Sequence, residues 1–155
     1  WNFTNRCNLA CKHCYQDSEH NALSDELSLD EKLDLIDQLG RMHLPMLAFS
    51  GGEPTISKDL LPCLARAKSW GMHTTIATNG TTMTRELAGK LAEAGLRYVE
   101  ISLDSVDADR HDAFRACRAC GNDPSRARRT WWPRRACGWE SPCACTRATT
   151  TRPRR

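Results

Sequence analysis

MLAFSGGEPTISKDLLPCLARAKSWG, residues 46–71, contains one complete structural unit, and its reading sets the fold. MLAFS (46–50) is a compact apolar run of strand length. GGEP (51–54) follows it. Residues 58–70 then place Leu60, Leu61, Leu64 and Ala67 at helical spacing, and Gly71 supplies a stop. Strand, polar loop and helix follow one another in that order.

The same order recurs on both sides. Upstream, WNFT (1–4) alternates like a short strand and runs into RCNLACKHCY (6–15). Residues 17–27 read as a polar linker. Ser28 with Glu31 forms a capping box, and Leu29, Leu33, Ile36, Leu39 and Met42 recur at helical spacing, with Pro45 as the expected stop. Downstream, MHTTIAT (72–78) is β-branched and strand-like, and Asn79-Gly80 breaks it. Thr84 can cap a third helix through Ala94, with Gly95 as terminator. LRYVEISL (96–103) is a fourth strand, Asp104 is a candidate N-cap, and VDADRHDAFR (106–115) opens a fourth helix.

Four strand–loop–helix repeats predict an α/β fold with parallel strands and covering helices. In such folds chemistry sits beyond the carboxyl ends of the strands. The cysteine loop, GGEP, Thr78-Asn79-Gly80 and Ser102 to Asp104 each follow a strand. All four motifs should therefore share one face.

The 155 residues suffice for one domain with a real core, and no apolar run approaches the roughly 20 residues needed to span a bilayer. The chain opens on Trp1, with neither a Met nor a secretory signal, and reads as a fragment of a longer protein. Nine cysteines without a signal point to a reducing, cytoplasmic setting and to metal ligation. Charge is divided: residues 1–115 carry 12 Lys+Arg against 17 Asp+Glu, whereas residues 116–155 carry 10 Arg against Asp123 and Glu140.

Cys7, Cys11 and Cys14 lie in one loop, spaced by three and then two residues, without a fourth thiol. A structural zinc wants four Cys or His ligands. His13 could be recruited, although adjacent residues rarely serve one tetrahedral ion. An iron–sulfur cube also takes four ligands, so three thiolates would leave one iron open to a substrate. Surface thiols with no metal are the third reading. Cys63 reads as a small core residue, and His43, His73 and His111 carry no functional expectation.

CNLACKHC, with SGGEP, TNG and ISLD following in order, resembles the radical S-adenosylmethionine (radical SAM) enzymes over residues 1 to about 115. WNFTNRC and CKHCY look most similar to members that mature peptides or modify haem precursors. The resemblance implies a parallel (β/α) partial barrel, of which about four units of an expected six are present. It implies that Cys7, Cys11 and Cys14 hold a [4Fe–4S] cluster and that S-adenosyl-L-methionine chelates the open iron. Reductive cleavage would then give a 5′-deoxyadenosyl radical that abstracts a substrate hydrogen. It assigns cofactor contacts to Gly51, Gly52, Glu53 and Pro54, where the glycines would let an ammonium group approach and Glu53 would offer a carboxylate. His13 would sit by the adenine, and Thr78, Asn79 and Ser102 would line the ligand. For GGEP, Asn79-Gly80 and Ser102 ordinary turn or strand-end roles remain open. A peptide or tetrapyrrole-like substrate and a flavodoxin or ferredoxin reductant are the implied partners, with no membrane. The alternative is a non-catalytic zinc or iron–sulfur module.

From Ala116 onward there is no Leu, Ile, Val, Met, Phe or Tyr. Such a segment cannot bury enough apolar surface to offset its ordering entropy. An auxiliary cluster domain and an Arg-rich nucleic-acid arm are both conceivable. A reading-frame shift near residue 115 explains more, and no nucleic-acid partner is expected. Trp and Cys codons begin with T. One nucleotide earlier that T becomes a middle base, which always encodes Phe, Leu, Ile, Met or Val. Cys117, Cys120, Trp131, Trp132, Cys137, Trp139, Cys143 and Cys145 would each hide a hydrophobic residue. The last four, with Ser141, alternate with the period of a strand. The expectation is a poorly ordered tail over 116–155 and a polypeptide that is weakly active or inactive.

Overall fold

Four parallel strands form a sheet in the order β1-β2-β3-β4, with β1 at Asn2–Thr4, β2 at Met46–Gly51, β3 at His73–Thr78 and β4 at Leu96–Ile101. The computed structural model of the chain describes residues 1–16, 18, 25–105 and 108–115. Between the strands lie α1 (Leu29–Arg41), α2 (Leu60–Ser69) and α3 (Arg85–Glu93), and α4 (Ala108–Phe114) follows β4. This is the expected α/β arrangement, a parallel partial barrel of four βα units. The expectations for the linker at 17 and 19–24 and for the tail at 116–155 lie outside the described residues.

Local chemistry explains the helix starts. The Ser28 hydroxyl accepts the Glu31 N–H while the Glu31 carboxylate accepts the Ser28 N–H at 2.8 Å, a complete capping box. The Thr84 hydroxyl accepts the Leu87 N–H at 3.1 Å and opens α3. Pro62 falls in the first turn of α2, where its missing N–H costs no helical bond. Gly71 and Gly95 follow α2 and α3 at φ 75° and 110°, as terminators.

The end of α1 differs from expectation. Pro45 does not stop it; the helix closes at Arg41. His43 turns left-handed at φ 57°, its N–H donating to Gly40 O at 2.9 Å, and Leu44 N–H returns to Leu39 O at 3.1 Å. Met42, expected on the apolar face, is therefore 74% exposed.

Helices α1 to α3 pack on the sheet face that carries Leu47, Phe49 and Ile76, against Ile36, Leu60, Cys63, Leu64, Ala67 and Leu91. Leu61 joins this core only at its margin. Trp1, Phe3 and Phe49 close one end with ring centroids 5.1 to 5.8 Å apart. Lys32 is buried in the same region. Its ammonium pairs with Asp59 at 2.7 Å and lies 4.7 Å from the Phe3 ring centre. The opposite sheet face has a row in which Ala48 pairs with Thr75 and Thr75 with Tyr98. One step toward the carboxyl ends, Ala77 pairs with Glu100. No described helix covers that face. Among the described residues no helix is long and apolar enough to cross a membrane.

Candidate functional site

The cysteine loop leaves β1 and is pinned at once by the end of β2. Gly52 N–H donates to Thr4 O and Glu53 N–H to Arg6 O, both at 2.7 Å. Gly51 takes φ 117°, and a Cβ there would strike the Thr4 carbonyl. A Cβ on Gly52 would strike the Arg6 carbonyl. Ligand approach was the reason expected for these glycines. The neighbour that requires them here is the chain's own backbone.

Cys7 is 8% exposed, Cys11 and Cys14 are half-buried, and none is in a disulfide. Cys14 N–H donates to Cys11 O at 3.1 Å, so the last two thiols share a tight turn. Burial pushes the Cys11 thiol above its ordinary pKa, Arg115 opposes that, and Cys7, Cys14 and Asp104 add to it. All three thiols belong to the one loop that follows β1. Among the described residues, no three His, Cys, Asp or Glu side chains converge on a position for a single ion. A lone tetrahedral zinc would draw its sulfurs to about 3.8 Å of one another. A cube spreads them, because each thiolate binds its own iron. Leu9 N–H also lies 3.4 Å from Cys7 Sγ, a donor suited to a thiolate. Three soft thiols on one loop, the first of them met by the Leu9 N–H, are a donor set that suits an iron–sulfur cluster.

Glu53 is wholly buried. Its Oε1 accepts from the Thr55 N–H at 3.0 Å, from the Thr55 hydroxyl, and from the Thr78 hydroxyl at 2.7 Å. Its Oε2 accepts the Asn79 N–H at 2.7 Å. The carboxylate thus ties the β2 loop to the end of β3. Pro54, also buried, opens the short 3-10 turn Pro54–Ile56 behind it. Thr78 Oγ1 further accepts the Gly80 N–H at 3.0 Å. Ser102 lies beside this pair, half-buried, with its N–H on Thr78 O at 3.0 Å. Motifs from four strand ends therefore meet on one face, as their positions predicted.

The fourth helix adds residues that carried no expectation. Phe114 stacks on His13 with centroids 4.5 Å apart and planes 9° apart. Phe114 O accepts the Lys12 N–H at 3.0 Å, and Arg115 O lies 4.0 Å from Cys11 Sγ. Asp104 is not the N-cap of α4, which begins at Ala108. Its carboxylate instead pairs with Arg115 and lies 3.8 Å from His13 Nε2. His13 is thus turned to Asp104 and Phe114. His111 is buried, and its Nδ1 accepts the Asp104 N–H at 3.3 Å. Burial first, then Arg115, lowers its pKa, which suits a neutral acceptor. Spacing held one clue: His111 and Arg115 lie four residues apart, on one side of a helical turn.

The model of the Radical SAM superfamily matches residues 1–129. The chain is 47% identical over 118 residues to the Fe-coproporphyrin III synthase of Methanosarcina barkeri (strain Fusaro / DSM 804), covering 76% of this chain and 29% of that protein. It is 36% identical over 115 residues to the PqqA peptide cyclase of Bradyrhizobium diazoefficiens, covering 72% of this chain and 30% of that protein. Among solved structures it resembles Streptococcus suis SuiB bound to S-adenosylmethionine, with TM-score 0.63 and 20% identity over 79% of this chain and 27% of SuiB. The chain spans about three tenths of the length of the curated relatives it matches.

Proposed function

Because the chain belongs to the Radical SAM superfamily, which uses a [4Fe–4S] cluster and S-adenosylmethionine, we propose that it forms the cofactor-binding part of such an enzyme. Cys7, Cys11 and Cys14 hold the cluster, which when bound supplies the electron that cleaves S-adenosylmethionine to a 5′-deoxyadenosyl radical able to take a substrate hydrogen. The observation that carries this reading is the trio of thiols on one loop, at the face where the other three strand-end motifs meet.

The protein's own groups bind and orient. Backbone from Gly51 to Pro54 and the segment Thr78-Asn79 form the wall facing the cysteine loop, and Ser102 borders it. These residues would border the methionine portion of the nucleoside. His13, stacked on Phe114, would border the adenine. Glu53 contributes by fixing Thr78 and Asn79, because its carboxylate is fully used inside the protein.

The substrate is a peptide or a tetrapyrrole-like haem precursor, by analogy with the printed activities of the relatives, and it meets the radical on the helix-free sheet face. A flavodoxin or ferredoxin supplies the electron in a reducing cytoplasm. The 155-residue polypeptide by itself is weakly active or inactive, and the coding DNA across codons 110 to 160 tests the frame shift behind that statement.

Anaerobic reconstitution tests the site. The chain should take up about four irons with matching sulfide and turn brown. Single Cys7→Ala, Cys11→Ala and Cys14→Ala variants should lose most of that iron, while Cys63→Ala keeps it. A colourless protein that binds zinc and ignores iron and sulfide would favour the non-catalytic module instead.

A further inference from the structure

Asn79 is held at both ends of its carboxamide. Oδ1 accepts the Thr81 N–H at 2.9 Å and the Thr81 hydroxyl at 2.7 Å. A backbone N–H can only donate, so this end must be the oxygen, and the NH2 group must face the other way. On that side Nδ2 donates to Asn8 Oδ1 at 2.9 Å and lies 4.0 Å from Cys7 Sγ, a long contact suited to sulfur. Asn8 Nδ2 returns to Thr81 Oγ1 at 2.7 Å and closes a three-residue ring. The backbone of Asn79 is fixed independently, through its N–H on Glu53 Oε2.

Asn79 is 6% exposed and Cys7 8%. In so dry a place a donor aimed at sulfur counts for more than it would in water. Ordinary turn chemistry explains the contact between Asn79 and Thr81. It does not explain why the other end of the amide reaches across to the residue after Cys7 and to the sulfur itself.

We propose that Asn79 is a positioning residue for Cys7: its carboxamide locks the loop that carries the first thiol and donates to that sulfur. This deepens the proposed function and rests on it where the cluster is concerned. Donors to cluster thiolates stabilise the added electron, so Asn79 raises the reduction potential of the bound cluster. Glu53, Asn79 and Cys7 form a relay from the end of β2 through the end of β3 to the loop after β1.

Two measurements test it, one without any cluster. In the metal-free, reduced 155-residue chain, the side-chain amide protons of Asn79 should show nuclear Overhauser contacts to the Cys7 β protons, and Cys7→Ala should shift those amide resonances. Absence of both overturns the clasp. In the reconstituted protein, Asn79→Ala should give a more negative midpoint at unchanged iron content, whereas Cys63→Ala, which lies in the helix-packed core away from the clasp, should stay near wild type. An unchanged midpoint in iron-loaded Asn79→Ala overturns the tuning role. If the wild-type chain takes up no cluster, the proposed function fails, and the nuclear Overhauser arm still decides the clasp.

Discussion

The Glu53 carboxylate accepts the backbone N–H of Asn79 at 2.7 Å across two strand ends. With the Thr78 hydroxyl and both Thr55 donors, it has four partners and no exposure to water. Glu53→Gln replaces one accepting oxygen by an NH2 group that meets donors on every side. We expect a loss of about 1–3 kcal/mol in urea unfolding, the cost of unsatisfied buried polar groups. A variant within experimental error of wild type would show that the carboxylate is not needed to join these strands.

Gly52 is expected to tolerate no side chain. Gly52→Ala puts a methyl group into the Arg6 carbonyl, where backbone and not a flexible side chain must yield. Crowding of this kind typically costs about 1–3 kcal/mol. The cysteine loop should shift with it, so iron uptake should fall further than stability does. Thermal unfolding and iron content measured on the same sample separate the two effects.

The buried Lys32–Asp59 pair joins α1 to the start of α2, at 2.7 Å. Asp59→Ala leaves an unpaired ammonium that is 3% exposed over the Phe3 ring, and should cost about 3–5 kcal/mol. Combining it with Lys32→Met should recover much of the loss, because the stranded charge is gone. A double-mutant cycle on denaturant midpoints reads this coupling.

Cys63 gives a pH dependence. Burial pushes its thiol up to about 11, against an ordinary value of 9.0. Its folded pKa is raised, so the unfolded chain releases the proton first. Its contribution is fully present below about pH 9 and is lost as pH climbs toward 11, at most about 2–3 kcal/mol. Unfolding free energies of wild type and Cys63→Ala, followed from pH 8 to 11, should differ in slope across that window, wild type falling more steeply.

Local signals carried most of the fold. The Ser28–Glu31 box, the Thr84 cap and the glycines after α2 and α3 act within a few residues, and each appears where the sequence places it. The end of α1 was missed because His43, not a glycine, takes the left-handed position. Strand alternation put four polar motifs on one face before any contact was known. Their internal wiring was hidden, because it depends on partners far apart in sequence. Glu53 and Thr78 are 25 residues apart, and Cys11 and Arg115 are 104 apart. Phe114 and Arg115 are ordinary helix residues until the fold brings them onto the cysteine loop. A second demand on Gly51 and Gly52 was hidden for the same reason: the backbone they admit, at Thr4 and Arg6, lies far off in sequence.

The central claim is that three thiols hold a cluster with one iron open to S-adenosylmethionine. Electron paramagnetic resonance of the reconstituted, reduced chain tests it most directly, with spectra taken before and after adding the nucleoside. The account predicts a reduced [4Fe–4S] signal whose g-values shift on addition, with a nitrogen coupling when the amino group of the methionine portion carries 15N. A cluster signal that does not change with the nucleoside, and shows no such coupling, would contradict it.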